Sequence, residues 1–384
     1  MEVLKLLSNK VKDIGSASSI QQNEKVYELV NQGINPIILS YGEAPFKIEP
    51  ILPSLQEWDR GAHYSQGLGV PEFREAIATY SRKWHQFDVQ SAENIMVTAG
   101  SKIGSYYVFL AFMNSGDNLV LHEPSWVSYQ EHARLCGGKT RFIASDQSIY
   151  EALVSSYSPS DKIVCLNNPN NPRGTVYSEK ELRSISEFCQ QKNKLLVVDE
   201  SYSDFCKDGD FFSAGHLVSE GNENVIVLNS ISKNFGLSGW RLGYIIASKS
   251  IIVHLNKINQ HLMTCASTNP QLTLAGKLDS IRQQVQPQIN DLQNKRRAVE
   301  TIMEKMNIKF LSGSTTFYHF LDFRHEIHNS AEFVVSLLNE KYVSLIPGKA
   351  YGQSTEGFLR LSFAIEPLER IEEGLLRLKE FLND

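Results

Sequence analysis

Ser230-Ile231-Ser232-Lys233-Asn234-Phe235-Gly236-Leu237-Ser238-Gly239-Trp240-Arg241-Leu242-Gly243 is the stretch on which the fold and chemistry of this chain turn. Its lysine stands just past the apolar run Val225-Ile226-Val227-Leu228, with hydroxyls one and three residues before it and an arginine eight residues after it. A lysine becomes a nucleophile when desolvation holds part of its amine neutral. Hydroxyls and a guanidinium beside that amine suit a dianionic phosphate. Together they describe Lys233 in Schiff-base linkage to an aldehyde whose phosphate is gripped by Ser230, Ser232 and Arg241, the arrangement of pyridoxal phosphate. An isolated lysine in a strand-to-loop connection is ordinarily a surface residue. The remainder of the chain has to decide between the two.

Length and composition narrow the class. A chain of 384 residues is too long for one small core, and two domains are expected. The net charge of -5 provides no basic footprint, which argues against a nucleic-acid partner. Cys136, Cys165, Cys189, Cys206 and Cys265 are odd in number, scattered and free of any C-x-x-C spacing. That pattern describes reduced thiols in a cytoplasmic protein, not a disulfide frame or a zinc site. The histidines form no H-E-x-x-H, so no metal is expected. Neither a Walker loop nor a G-x-S-x-G element is present. Residues Met1 to Ile14 mix leucine with charge and lack a signal-peptide core, and no apolar run approaches the length of a membrane span.

Short runs rich in Val, Ile and Leu recur at Ile95–Thr98, Asn118–Leu121, Thr140–Ile143, Ile163–Leu166, Leu195–Val198, Val225–Leu228 and Leu242–Ala247, with helical spacing between several of them. Buried strands alternating with helices specify an α/β layer fold whose sheet is mainly parallel. Its seven strands are flanked by helices, and a small α+β domain is formed by the two chain ends. The expected boundaries are an N-terminal segment 1–48, a large cofactor-binding domain 49–285, and a bridging helix with the small domain at 286–384. Helical spacing marks Glu2–Leu7 and Gln271–Lys305, the latter with a break or kink at Pro287. Ligands on such sheets bind at the carboxyl ends of strands, where Gly100, Glu123, Asn167, Asp199 and Ser230 fall. Gly100-Ser101-Lys102 ends a strand and opens a helix, a suitable place for an anion. Asp199, at the buried end of Leu195-Leu196-Val197-Val198, requires a positive partner such as a protonated pyridine nitrogen. Trp126 is either a core residue or a flat surface for stacking on such a ring. Arg360 lies in the apolar segment Phe358–Phe363, where a guanidinium is costly unless a carboxylate meets it. Gly42, after a short apolar strand, lets the backbone approach a ligand.

The serine, lysine, glycine and arginine positions of 230–243, with the closing Leu242-Gly243, resemble the lysine signature of class I aminotransferases. These belong to the fold-type-I pyridoxal phosphate enzymes. Further segments resembling the family follow in its order from about Ser16 to Ala364. Trp126-Val127-Ser128-Tyr129 and Ser238-Gly239-Trp240-Arg241 are similar to the bacterial aspartate and prephenate aminotransferases. The resemblance implies that Trp126 stacks on the cofactor ring and that Asp199 meets the ring nitrogen. Gly100, Ser101, Lys102, Ser230, Ser232 and Arg241 would hold the phosphate. Asn168-Pro169-Asn170-Asn171-Pro172-Arg173-Gly174 is similar to the family's Asn-Pro-x-Asn-Pro-Thr-Gly, which makes Asn171, with Tyr202, the partner of the cofactor's phenolate oxygen. Arg360 would take the substrate's α-carboxylate beside Gly42 and Asn171. Tyr64 would cross to a neighbouring subunit's phosphate, which implies a homodimer. Lys102 matches a lysine that meets a side-chain carboxylate, or else faces solvent.

Two departures stand out. Arg173 replaces a threonine, which would bring a fixed positive charge near the pocket. The lid reads Gly42-Glu43-Ala44-Pro45-Phe46 where the family has Gly-Glu-Pro-Asp-Phe. The expected activity is transfer of an amino group between an L-amino acid and a 2-oxo acid, with Lys233, Asp199 and Tyr202 as catalytic residues. A cyclase, lyase or oxidase on the same scaffold, acting on a specialised amino acid such as a hydroxyarginine, is the alternative enzyme. An aminotransferase-like sensor domain of a transcription regulator is the non-enzymatic alternative. The acidic charge and the short segment before Gly42 argue against it.

Overall fold

The computed structural model describes residues 3–12, 14–15, 17–144, 146–207 and 209–383. Of the N-terminal helix expected at Glu2–Leu7, Glu2 lies outside these residues and Val3–Leu6 forms a 3-10 turn. Ser16, where the family resemblance begins, is likewise outside them.

All seven apolar runs are strands of one sheet. Its spatial order is Ile95–Thr98, Gly243–Ile246, Val225–Ser230, Leu195–Asp199, Asp161–Asn167, Asn118–His122 and Lys139–Ile143. Gly243–Ile246 runs antiparallel to both of its neighbours and the other pairings are parallel. Both faces are covered, as a parallel sheet requires. Successive residues of one strand therefore enter different cores. Leu196, Val198, Val225 and Val227 pack into one apolar cluster. Leu195, Val197, Ile226 and Leu228 pack into the other. This explains why the strands read as unbroken apolar runs with no alternation.

Local signals place the covering helices. Ser178 Oγ accepts from the Glu181 amide while the Glu181 carboxylate accepts from the Ser178 amide. That capping box starts helix Glu179–Gln191, which turns Leu182, Ile185, Phe188 and Cys189 inward at helical spacing. Pro71, with its φ preset, begins helix Pro71–Trp84. The long pattern expected from Gln271 is two helices, Thr268–Leu274 and Leu278–Lys305. The interruption falls around Gly276, and the second helix carries Pro287 in its interior without ending there.

A second sheet, antiparallel, has the order Ile346–Pro347, Phe358–Ser362, Tyr318–Asp322 and Phe310–Leu311. The N-terminal strand Ile37–Ile38 pairs in parallel with Val343–Ser344. Helix Leu368–Asn383 lies against this pair at Gly374, where a Cβ would come within 3.1 Å of the Ile37 and Leu39 side chains. The N-terminal segment is thereby tied to the C-terminal part of the chain. Arg296, on the long helix, is 3% exposed and its Nη1 donates to the carbonyls of Thr315 and Tyr318, each at 2.8 Å. This fixes the start of strand Tyr318–Asp322 relative to the long helix.

A buried polar cluster joins the large sheet to the helices around it. Asp204, in the 3-10 turn Ser203–Phe205, accepts from Tyr80 Oη and faces Arg282 Nη1 at 3.1 Å and His85 Nε2 at 3.2 Å. Its amide donates to Asn234 Oδ1 at 3.2 Å, beside Lys233. Burial opposes its ionisation, but His85, Arg282 and Tyr80 together hold its carboxyl below the usual carboxylate range. Its stabilisation is therefore complete above the unfolded value, about pH 4, and is lost as pH falls through the lower folded value. Asp204→Ala is expected to cost about 3–5 kcal/mol by urea unfolding at pH 7, because a buried guanidinium loses the carboxylate that compensates it. The difference from wild type should shrink in acid.

Candidate active site

The carboxyl ends of the parallel strands converge on a cavity of about 520 Å³. Ser101, Lys102, Trp126, Asn171, Asp199, Tyr202, Ser230, Ser232, Lys233, Arg241, Arg360 and Gly42, drawn from both sheets, line it. These twelve of the fourteen residues expected at the site meet on one wall or another. Gly100 stands behind that wall. Its φ is +92°, and a Cβ there would lie 2.7 Å from Arg241 Nη2. The left-handed backbone and the close guanidinium both demand glycine. Tyr64 is elsewhere, 86% exposed in the loop before helix Pro71–Trp84.

Lys233 follows strand Val225–Ser230 in a single helical turn, Ile231–Asn234. Ser230 Oγ caps that turn by accepting from the Ser232 amide at 3.0 Å. Asn234 Nδ2 anchors it from behind, donating to Ser203 Oγ at 3.0 Å and Asn229 Oδ1 at 3.1 Å. Burial pulls the Lys233 ammonium down to about 8. Arg360, Arg241 and Lys102 push the same way, and the Glu43 carboxylate opposes them. A far larger share of the amine is thus neutral near physiological pH than in an ordinary lysine, and the neutral form is the one that attacks a carbonyl.

Asp199 receives three hydrogen bonds: Tyr129 Oη to Oδ2 at 2.7 Å, and the Ser201 amide and hydroxyl to Oδ1 at 3.0 and 2.6 Å. No cation bonds it among the described residues. Burial raises its pKa above the ordinary value even though those donors favour the charged form. A cationic group arriving in the cavity would complete the site. Tyr129 and Ser201 were not singled out in the sequence. The only signal for Tyr129 was its place after Trp126, and none existed for Ser201.

On the opposite side, Arg360 is 4% exposed. Its Nη1 donates to Asn171 Oδ1 at 3.4 Å, its Nη2 donates to the Ser40 carbonyl, and its buried Nε has no hydrogen-bond partner among the described residues. Asn171 Nδ2 donates to Tyr202 Oη at 3.3 Å. The Asn171 amide is held by Asn167 Oδ1 at 2.7 Å, and Asn167 Nδ2 donates to the Asp199 carbonyl at 3.0 Å. Trp126 lines the cavity, with Lys102 Nζ 5.3 Å from its ring centre. Glu43 of the lid also lines the cavity, as do Tyr318, Ile20 and Asn23, which had no motif to betray them.

Both departures from the family pattern take definite form. Arg173 does not line the cavity; its Nε donates to the Ser312 carbonyl at 3.0 Å, on the second sheet's side. The expected charge near the pocket is corrected: a backbone acceptor takes it outward. The lid lies over the lysine loop. Ser238 Oγ donates to Glu43 Oε1 at 2.8 Å, and a Cβ at Gly236 would meet Phe46 at 2.9 Å.

Four cations (Lys102, Lys233, Arg241 and Arg360) share the cavity with two carboxylates, Glu43 and Asp199. The positive excess, the buried Nε of Arg360, unbonded among the described residues, and the glycine at the approach to Arg241 fit a phosphorylated, pyridinium-bearing aldehyde and a carboxylate substrate. Among the described residues no cluster of His, Cys, Asp and Glu could hold a metal ion, and no helix is long and apolar enough to cross a membrane.

Comparisons agree with this geometry. The profile of the family "Aminotransferase class I and II" matches residues 47–378. The aspartate aminotransferase of Thermotoga maritima is 29% identical, over 98% of this chain and all of its own length. A probable aspartate/prephenate aminotransferase of Aquifex aeolicus is also 29% identical, over 98% of this chain and 99% of its own. The solved aspartate aminotransferase of Thermus thermophilus with maleate superposes with a TM-score of 0.87 at 25% identity, over 98% of this chain and 99% of that one.

The lowered Lys233 value is directly measurable. In cofactor-free protein, competitive acylation read by mass spectrometry should label Lys233 with a midpoint near pH 8, well below the surface lysines. A midpoint shared with the surface lysines would contradict the burial described.

Proposed function

The chain belongs to the class I and II aminotransferases, and from that premise we propose that it moves an amino group between a dicarboxylic L-amino acid and a 2-oxo acid. It is a pyridoxal phosphate enzyme of this family and acts on amino acids and 2-oxo acids. The dicarboxylic preference rests chiefly on two cations. Arg360 and Lys102 both line the cavity, and neither is paired with a carboxylate among the described residues. A substrate with two carboxylates would satisfy both. Relatives named as aspartate aminotransferases, and a structural relative described with the dicarboxylate maleate, support the same reading.

The geometry supports the following residue roles. Arg241, Ser230, Ser232 and Ser101 are suited to bind the phosphate, with Gly100 permitting the approach of Arg241. Trp126 would cover one face of the ring and exclude water. Asp199 would hold a proton on the ring nitrogen; its three hydrogen bonds fix the carboxylate in advance. When bound, the cofactor supplies an electron sink for the pair left at the substrate α-carbon. Lys233 Nζ takes the proton from the α-carbon and later returns one, acting as general base and then as general acid. Arg360 and the Gly42 backbone orient the α-carboxylate, and Asn171 with Tyr202 binds the cofactor's phenolic oxygen.

We further assign residues 49–285 to a large cofactor-binding domain, with 1–48 joining a small domain that includes 286–384. A homodimer would use the exposed run that contains Leu52, Leu55, Trp58 and Tyr64, with Tyr64 reaching the partner's site. A cytoplasmic setting is supported by the free cysteines, four of which are buried.

A panel of amino acids tests the substrate class. Aspartate or glutamate should bleach the cofactor's visible absorbance, and 2-oxoglutarate should restore it, with the 2-oxo acid product identified by mass. Lys102→Ala should raise KM for the dicarboxylic donor about tenfold, the loss of one charge-assisted contact, while leaving a neutral donor nearly unaffected. Equal effects on both donors would remove Lys102 from substrate recognition.

A further inference from the structure

Tyr318 joins Tyr202 in the cavity wall. It opens strand Tyr318–Asp322, is fully buried and lines the cavity. Its hydroxyl lies 3.0 Å from Tyr202 Oη. The Arg360 guanidinium sits 4.4 Å from the centre of its ring. A Cβ on the lid residue Gly42 would come within 3.2 Å of its hydroxyl oxygen. Its carbonyl is clamped by Arg296 at 2.8 Å, so the ring is held from the backbone side as well.

The hydrogen-bond inventory gives this arrangement a direction. A phenol has one proton and two acceptor sites. Asn171 Nδ2 already donates to Tyr202 Oη at 3.3 Å. If Tyr318 also donates, both acceptor sites on Tyr202 are filled and its own proton must point elsewhere, into the cavity. If Tyr202 donated to Tyr318, that proton would be consumed between the two rings. The charges decide between these cases. Arg360 lies over the Tyr318 ring, and a cation there makes a phenol the stronger donor. Arg360 also acts on Tyr202, but of the two rings it is Tyr318's that lies against the guanidinium. The other groups facing the pair are Asp199, toward Tyr202, and Glu43 and the Tyr351 phenol, toward Tyr318. None of these three is hydrogen-bonded to either hydroxyl among the described residues.

We propose that Tyr318 is a positioning residue whose hydroxyl donates to Tyr202 and so commits the Tyr202 proton to the phenolic oxygen of the bound cofactor. The inference rests on the assignment of Tyr202 to that oxygen. Donation into Tyr202 polarises its O–H and strengthens the bond it makes in turn. A stronger donor at the phenolic oxygen stabilises the anionic oxygen and lowers the pH at which the Lys233-linked cofactor loses its proton. The hydroxyl also sits where the lid backbone and the carboxylate-binding arginine meet, so one group contacts both substrate-facing elements and the cofactor's partner.

Tyr318→Phe tests this, since it keeps the ring under Arg360 and removes only the hydroxyl. The readout is the midpoint of the visible absorbance change of the holoenzyme with pH, together with the thermal midpoint. The variant should titrate at higher pH than wild type, by part of the rise seen in Tyr202→Phe. Tyr202→Phe/Tyr318→Phe should titrate like Tyr202→Phe alone, because Tyr318 acts through Tyr202. Gly42→Ala, which crowds the same hydroxyl from the lid, gives a second variant and should shift the midpoint in the same direction. An unmoved midpoint with lowered thermal stability would reduce Tyr318 to a packing residue and overturn the proposal. So would additive shifts in the double variant. Failure of the underlying assignment is distinguishable, because Tyr202→Phe itself would then leave the midpoint unchanged.

Discussion

The site depends on keeping one amine dry among like charges. Lys233 shares its cavity with Arg241, Arg360 and Lys102, and burial with that neighbourhood is what brings its ammonium down to about 8. Water would screen the repulsion and restore an ordinary, protonated lysine. The rest of the molecule can be understood as the means of holding these cations together until anions arrive to neutralise them. A dianionic phosphate and a substrate carboxylate do so, which makes cofactor and substrate binding parts of one electrostatic balance.

Holding charges together requires rigid attachment, and hydrogen bonds fix the segments that carry several of them. Asn234 anchors the lysine turn to Ser203 and Asn229. Asn167 ties the Asn171 loop to the end of the neighbouring strand. Arg360 is held by the Ser40 carbonyl and the Asn171 amide oxygen. Donors and acceptors fixed in advance need no reorganisation during reaction, and this is where much of an active site's electrostatic benefit originates.

The cavity is assembled from two sheets. Lys233, Asp199 and Tyr202 belong to the large one, while Arg360 and Tyr318 lie on adjacent antiparallel strands of the other, with Phe320 opposite Arg360. Arg296 clamps the second sheet's central strand to the long helix, and Asp204 joins that same helix to the turn beside the lysine. Any shift of one sheet against the other would alter the distance between the carboxylate-binding arginine and the lysine. The lid bridges the remaining gap through Glu43 and Ser238.

How much of this could be read from the sequence follows from which interactions are local. The strand runs were legible because a sheet buried on both faces needs continuous Val, Ile and Leu. The lysine loop was legible because its serines, glycines and Arg241 lie within a dozen residues of one another. Arg360 stood out as a single guanidinium in an apolar strand. By contrast, Tyr318 and Tyr129 act through partners 116 and 70 residues away, and an ordinary core tyrosine looks the same in sequence. Pro287 suggested a break or a kink, and the helix Leu278–Lys305 continues through it. Arg173 suggested a charge near the pocket, but its direction depended on the Ser312 carbonyl, 139 residues on. The chain's own order determined the fold, the cofactor chemistry and the groups nearest the lysine. Only tertiary packing decided which buried hydroxyls and guanidiniums face one another, because hydrogen bonds between distant strands leave no periodic trace in a sequence.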